Sequence, residues 1–209
     1  MSGSADAAVA LPPMLVVFSG PSGAGKDSVL QYLRGLVPDI RVAVTATTRE
    51  PRVGEKDGTS YHFLTRADYN CMLDAGRLLA PAEVHGHWYG VPLDEILRPL
   101  EAGEDVIVKI DVQGAMDVRR RIPQAIFVFL APPSLPELIR RLEDRHTESP
   151  QDLQRRIRDA SFEMEQLPRY DYAVVNGSAG AEKAAESIAC IIDAERLRTH
   201  RQPISLSNG

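Results

Sequence analysis

The stretch Met14-Leu-Val-Val-Phe-Ser19 runs straight into Gly20-Pro-Ser-Gly-Ala-Gly25-Lys26, and that into a helical pattern with Val29, Leu30, Leu33 and Leu36 on one face. No other feature constrains the fold as much. In a G-x-x-x-x-G-K loop the glycines allow backbone conformations that aim several N–H groups into one concavity. The following helix adds the positive end of its dipole, and the Lys can reach the β- and γ-phosphates of a nucleotide. A plain strand–turn–helix corner would need neither the Lys nor this set of glycines. Gly20, Pro21, Ser22, Gly23, Ala24, Gly25, Lys26, Asp27 and Ser28 are therefore the candidate phosphate loop. It has one departure: Asp27 stands where the motif has a Ser or Thr whose hydroxyl ligates Mg²⁺. A carboxylate is also a hard oxygen donor for Mg²⁺, so Asp27 or the neighbouring Ser28 is the candidate metal ligand.

Further apolar runs follow at 42–46, 105–110, 125–130 and 172–176. Their continuous apolarity predicts strands covered on both faces, as in a parallel sheet. Helical patterns lie between most of them. Ser134 with Glu137 and Thr65 with Asp68 read as helix-start boxes. Ser149 and Pro150 open a helix carrying Leu153, Ile157, Ala160, Met164 and Leu167. A last helix spans roughly 181–196. This alternation predicts a doubly wound α/β domain of the P-loop type, with a parallel core sheet. Residues 45–95, rich in Gly, Tyr, His and charge, interrupt the rhythm and read as an inserted substrate lobe between core segments 14–44 and 96–196. The tails 1–13 and 199–209 are expected to be disordered.

The 209 residues carry 24 Lys and Arg against 29 Asp and Glu, a net charge of −5. That balance offers no global basic field for a nucleic-acid partner, but a local cluster still suffices for a small phosphorylated ligand. Cys71 and Cys190 are isolated thiols, which fits a reducing compartment. No apolar run approaches the ~20 residues of a membrane span. The first residues lack a basic start and an apolar core, so no secretory leader is read and a cytoplasmic location is expected.

A second constellation is TATTREPRVGEKDGTSY, residues 45–61. Arg49 and Arg52 flank Pro51, and two guanidinium forks can grip one phosphate bidentately, in a geometry Lys cannot match. Glu55 and Tyr61 follow. In the segment 84–92, VHGHWYGVP, the side chains His85, His87 and Trp88 are read as packing and surface groups. Arg119, Arg120 and Arg121 are read as a solvated helix face.

Taken in order, GPSGAGK, ATTREPRVGEKDGTSYHF, AEVHGHWYG, KIDVQGA, FLAPPS, RLEDR and DYAVVN resemble the motifs of guanylate kinases, over residues 14–196. Asp27 and the ending IIDAERLRTHR resemble the branch of that family found in cyanobacteria and plant organelles. The resemblance implies a nucleoside monophosphate kinase that moves the γ-phosphoryl of ATP onto GMP or dGMP with Mg²⁺, as a monomer or homodimer. It implies that Arg49, Arg52 and Tyr61, helped by Tyr89, hold the GMP phosphate, and that Glu55 lies at the acceptor pocket. Thr45 would lie near the guanine. Asp111 would contact the nucleotide and help organise metal-bound water. Asn176 would border the adenine. Arg141, Arg145 and Arg156 would sit in or beside a lid at about 143–156, and Lys26, Arg52, Arg145, Arg156 and Asp111 would serve catalysis.

One departure concerns the base. The family's guanine-pairing Glu falls at Ala80, which offers no acceptor, and Val91 replaces a frequent Ser or Thr. Glu83, Glu55 or Thr45 could compensate, GMP could bind with a higher KM, or the acceptor could be another phosphorylated compound such as ribose 1,5-bisphosphate. A non-catalytic scaffolding module would lack the loop Lys and glycines that this chain keeps.

Overall fold

The computed structural model describes residues 11–84, 86–144 and 150–206. Strand β1 (Leu15–Ser19) leads through the glycine loop to helix α1 (Lys26–Leu36) and the short β2 (Arg41–Val42). A second group follows: β3 (Ala46–Thr47), β4 (His62–Phe63), α2 (Arg66–Asp74), β5 (Leu78–Val84) and β6 (His87–Pro92). The chain then continues through α3 (Asp94–Glu101), β7 (Val106–Lys109), α4 (Val112–Arg121), β8 (Ile126–Ala131) and α5 (Leu135–Glu143). It ends with α6 (Pro150–Glu165), a 3₁₀ turn (Leu167–Arg169), β9 (Tyr172–Val175) and α7 (Gly180–Arg196).

The main sheet has the order β2-β7-β1-β8-β9, with every pair parallel. Alternation along β1 explains its two covered faces. Val16 and Phe18 point into a core with Leu30 and Leu33 of α1 and Ile188 and Ile192 of α7. Leu15 and Val17 point the other way, into a core with Ile96 of α3 and Val118 of α4. The carboxyl ends of β1, β7 and β8 thus meet at one edge, where ligands bind in open α/β sheets.

The run 42–46, expected as one strand, divides between two sheets. Val42 closes β2 in the main sheet, and Ala46 opens β3 in a second sheet of order β4-β3-β6-β5. Uniform apolarity hides such a switch, because both halves are covered. Glu95 ties the crossing together. Its Oε2 accepts from Val44 N at 3.0 Å on the way out of the main sheet, and its Oε1 lies 2.9 Å from His62 Nε2 of β4. Glu95 itself belongs to α3, on the way back.

The expected helix starts hold in part. Thr65 Oγ1 accepts from Asp68 N at 3.1 Å and donates to Asp68 Oδ2 at 2.6 Å. Ser134 Oγ accepts from Glu137 N at 3.3 Å, while the Glu137 carboxylate turns to Arg140 and Arg141. Helix α6 begins at Pro150; Ser149 lies outside the described residues. Two other expectations are corrected. The basic run of α4 is not uniformly solvated. Arg119 lies 3.8 Å above the Phe127 ring and pairs with Asp171, and Arg121 donates to Leu78 O at 3.1 Å, so only Arg120 keeps mainly to solvent. The C-terminal tail, expected to be disordered, also makes contacts over its described residues 199–206. Ile204 and Leu206 pack on the α3–α4 side of the core, and Arg201 donates to Pro12 O at 2.7 Å and to Glu195 O. Spaced two apart, Ile204 and Leu206 share one face of an extended chain, a pattern too short to register as a strand.

Candidate nucleotide site

The glycine loop sits at the carboxyl edge of the main sheet, fixed by its surroundings. Gly20 has φ +145°, and a Cβ there would run into the carbonyl oxygen of Leu130. Gly25 has φ +92°, and its Cβ would lie 2.5 Å from Asn176 Nδ2. That amide is buried and donates to Ala24 O at 2.7 Å, while Asn176 N donates to Ala131 O at 2.8 Å and Arg141 donates to Asn176 O at 3.0 Å. The loop is thereby fastened to β8 and β9. The Asn176 side-chain amide thus braces the backbone of the loop, at the residue that the resemblance places beside the adenine.

Lys26 folds its ammonium onto Gly20 O at 2.5 Å and Pro21 O at 3.1 Å. Burial pushes its pKa down, Glu163 opposes that shift, and the charge of Lys109 reinforces it. Glu163 of α6 accepts from Ser22 N at 3.1 Å, and burial pushes its carboxyl above the usual range. Arg156 donates to Ser22 Oγ at 2.8 Å. Two arginines of the α5–α6 region thus touch the loop or its brace. Arg145 lies outside the described residues, as do the lid residues 145–149 and His85.

Facing the loop is a cleft of about 400 Å³ lined by Thr45, Arg49, Arg52, Glu55, Tyr61 and Tyr89, together with Asp27 and Lys109. Arg49 lies 5.5 Å from the Tyr61 ring centre, and Tyr61 meets Tyr89 edge-on at 6.2 Å. Glu55 takes Arg49 NH2 on both carboxylate oxygens, at 2.9 and 3.0 Å, and accepts from Arg52 N at 2.7 Å. The hydrogen bonds from Arg49 hold its carboxyl below the usual range. Glu55 therefore aims the Arg49 guanidinium and pins the backbone of Arg52, and the cleft presents a cationic, tyrosine-walled anion site.

A second cavity, about 290 Å³, adjoins the first and shares Thr45, Tyr61, Tyr89 and Lys109 with it. Its walls are largely apolar, with Ala80, Ala82, Val84, Val91 and Ile110, and it reaches Lys26 and Asp111. Ala80 has φ +50° beside a register shift, where the pairing passes from Leu79↔Val91 to Ala82↔Tyr89. Along β5 the side chains of Ala82 and Val84 line the cavity, whereas Glu83 alternates away and is exposed. Glu83 is thereby excluded as a substitute base acceptor, and Glu55 is committed to the arginines. Side chains that can accept at this cavity include the Thr45 hydroxyl and the Asp111 carboxylate, beside the phenol groups of Tyr61 and Tyr89. Asp111 Oδ1 also accepts from Gly114 N at 2.6 Å, capping α4 and fixing its orientation. Trp88 packs under Arg66, 4.0 Å from its ring centre, and against Tyr69, as a structural residue would.

Two residues at the site escaped sequence reasoning. Lys109 ends β7, lines both cavities and pairs with Asp27. Its one visible signal was a charge closing an otherwise apolar strand. Glu163 is a single acid in a helix rich in charge.

A glycine cradle with a half-buried Lys at the edge of a parallel sheet, set against an arginine-lined cleft, defines a P-loop kinase that brings two phosphorylated ligands together. The guanylate kinase family model matches residues 13–195. The chain belongs to the guanylate kinase family and is a kinase. It is 42% identical over 190 residues to guanylate kinase of Desulfitobacterium hafniense (strain Y51), covering 91% of this chain and 94% of that one. It is 43% identical over 188 residues to guanylate kinase of Shouchella clausii (strain KSM-K16), covering 90% and 91%. The crystal structure of guanylate kinase from Anaplasma phagocytophilum is similar to it with a TM-score of 0.72 at 30% identity, covering 92% of this chain and 90% of that one. These relatives give no support to a ribose bisphosphate acceptor. Among the described residues, no helix is long and apolar enough to cross a membrane.

Proposed function

We propose that this chain transfers the γ-phosphoryl group of ATP to GMP, and to dGMP, yielding ADP and GDP in the cytoplasm. The observation that carries this reading is the junction of two anion sites. The loop that would take the ATP phosphates meets the cleft that would take the GMP phosphate at Asp27 and Lys109, and the adjoining apolar cavity, which reaches Lys26, would take the base. Residues 45–95 act as the acceptor lobe and 143–156 as the lid. Asp27, followed by Ser28, supports the reading that the chain belongs to the branch with Asp after the loop Lys.

In this reading Gly20–Ser28 cradles the triphosphate and the Lys26 ammonium leaves the Gly20 and Pro21 carbonyls for the β- and γ-phosphates. Arg49, oriented by Glu55, and Arg52, whose backbone Glu55 holds, are joined by Tyr61 and Tyr89 in holding the GMP phosphate. Thr45 and Asp111 face the guanine in place of the missing acid at Ala80. Arg141 and Arg156, with Arg145, bring positive charge from the lid side. Donor and acceptor phosphates repel each other, and these cations, acting in a closing cleft of lowered dielectric, offset that repulsion where charge builds up. Little bond-making is asked of the protein itself. Asp27 has an 86% exposed carboxylate at the loop's metal corner. It fits Mg²⁺, an ion held by one or two carboxylates with phosphate oxygens and water. When bound, Mg²⁺ supplies charge neutralisation between the β- and γ-phosphates.

An ADP-release assay over GMP, dGMP, AMP, UMP, CMP and ribose 1,5-bisphosphate tests the reading. GMP and dGMP should be the best acceptors; preference for AMP or the bisphosphate would overturn it.

A further inference from the structure

Lys109 occupies an unusual place for a surface cation. It closes β7 directly opposite Phe18 of β1, one residue short of the glycine loop's entry at Ser19. Its side chain is 25% exposed and its ammonium pairs with Asp27 Oδ1, in the first turn of α1 beside Lys26. The same ammonium is 5.9 Å from the centre of Tyr61, in the wall of the acceptor cleft. Lys109 lines the phosphate cleft and the apolar cavity alike. It also acts electrostatically on Lys26, lowering its pKa. It is thus a cation with the donor loop on one side and the acceptor-phosphate residues on the other.

A purely structural purpose explains this poorly. Ion pairs with an exposed partner contribute little to stability, and Asp27 already has a favourable place in the first turn of a helix. A Lys stem is flexible enough to move its charge between neighbouring anions. We propose that Lys109 is a catalytic residue of this kinase: it rests on Asp27 when the cleft is empty and turns to the acceptor and transferring phosphates when both nucleotides are bound. In the step it serves, a phosphate oxygen of GMP forms a bond to the γ-phosphorus of ATP. The bond from that phosphorus to the β,γ-bridging oxygen breaks, and its electron pair stays on the ADP β-phosphate. With a dianionic acceptor no proton need move, so the ammonium acts by charge and hydrogen bonding alone.

The inference rests on the proposed ATP and GMP reaction, and wild-type turnover with those substrates tests that reading separately. Lys109→Met should lower kcat about a hundredfold, the scale of losing one preorganised donor at the reacting group. It should also weaken binding of the bisubstrate adenosine–guanosine pentaphosphate, measured by calorimetry without Mg²⁺, at least about tenfold, as loss of a charge-assisted contact to phosphate would. Lys109→Arg should recover most of both losses. Should Met disturb folding, Lys109→Gln gives the same comparison. A double-mutant cycle separates direct action from mere neutralisation of Asp27. If Lys109 acts on phosphates, Lys109→Met lowers kcat by a similar factor in an Asp27→Ser background. A loss that vanishes in that background overturns the proposal. So does near-wild-type kcat and bisubstrate affinity in Lys109→Met, or an Arg variant as slow as the Met variant.

Discussion

Replacing Glu55 with Gln isolates the device that aims the acceptor arginines. The side chain keeps its size, but one oxygen becomes an NH₂ that would face either the Arg49 guanidinium or the Arg52 N–H, donor against donor. In the wild type those groups meet carboxylate oxygens at 2.9, 3.0 and 2.7 Å. A hydrogen bond to a charged group contributes about 1.5–3 kcal/mol. The side chains are 11% exposed at Arg49 and 22% at Glu55, and solvent screening reduces the net loss to about 1–2 kcal/mol. If that falls on GMP binding, KM for GMP rises about 5- to 30-fold. Initial rates should be measured with GMP varied at saturating ATP, then the reverse. An unchanged KM for GMP, or an equal rise in KM for ATP, would refute the assignment of Glu55 to the acceptor side. The pair also predicts a pH effect. Glu55 titrates below its ordinary value of 4.5 in the folded chain because Arg49 hydrogen-bonds its carboxylate. Its contribution to stability is therefore complete above the unfolded pKa and lost as pH falls through the folded one. Urea unfolding from pH 6 downward should show a shallower acid loss in Glu55→Gln than in the wild type.

Lys26→Met should reduce kcat at least about a hundredfold while the circular dichroism spectrum stays native; unchanged turnover would remove Lys26 from the triphosphate site. Ala80→Glu should raise kcat/KM for GMP relative to IMP, which lacks the 2-amino group, by about tenfold, the effect of one added charged acceptor. A constant GMP/IMP ratio would place the base outside the apolar cavity. Replacing Ile204 and Leu206 together with Ser should cost about 2 kcal/mol in urea unfolding, for two half-buried aliphatic side chains, with both nucleotide KM values unchanged. A stability equal to wild type would show the tail to be peripheral in solution.

The phosphate loop was legible because its parts are contiguous: an apolar strand, spaced glycines, a Lys and an amphipathic helix say the same thing within about twenty residues. The arginine cleft was legible for the same reason. The base cavity was less so. Which residues of β5 face it depends on a register shift between Leu79 and Ala82, and a bulge leaves no mark in hydropathy. This is why Glu83 could be considered as a base acceptor from sequence, although it points away from the cavity. Lys109 lay beyond reach because its partner Asp27 is 82 positions away in the chain, and only the parallel pairing of β1 with β7 brings them together. The arginines of α4 illustrate the converse. Three like charges in a row describe a polar helix end, but the helix turn sends one over Phe127, one to solvent and one to a carbonyl of β5.

Glu95 has a consequence for how the smaller sheet is joined to the larger. Outbound and returning segments of backbone could in principle flex independently, each as a loose tether. One carboxylate holds Val44 on the first and His62 of β4, from a helix on the second, so the two segments are tied at a single point. Glu95→Ala would strip Val44 N of its partner and leave the two crossings untied from each other.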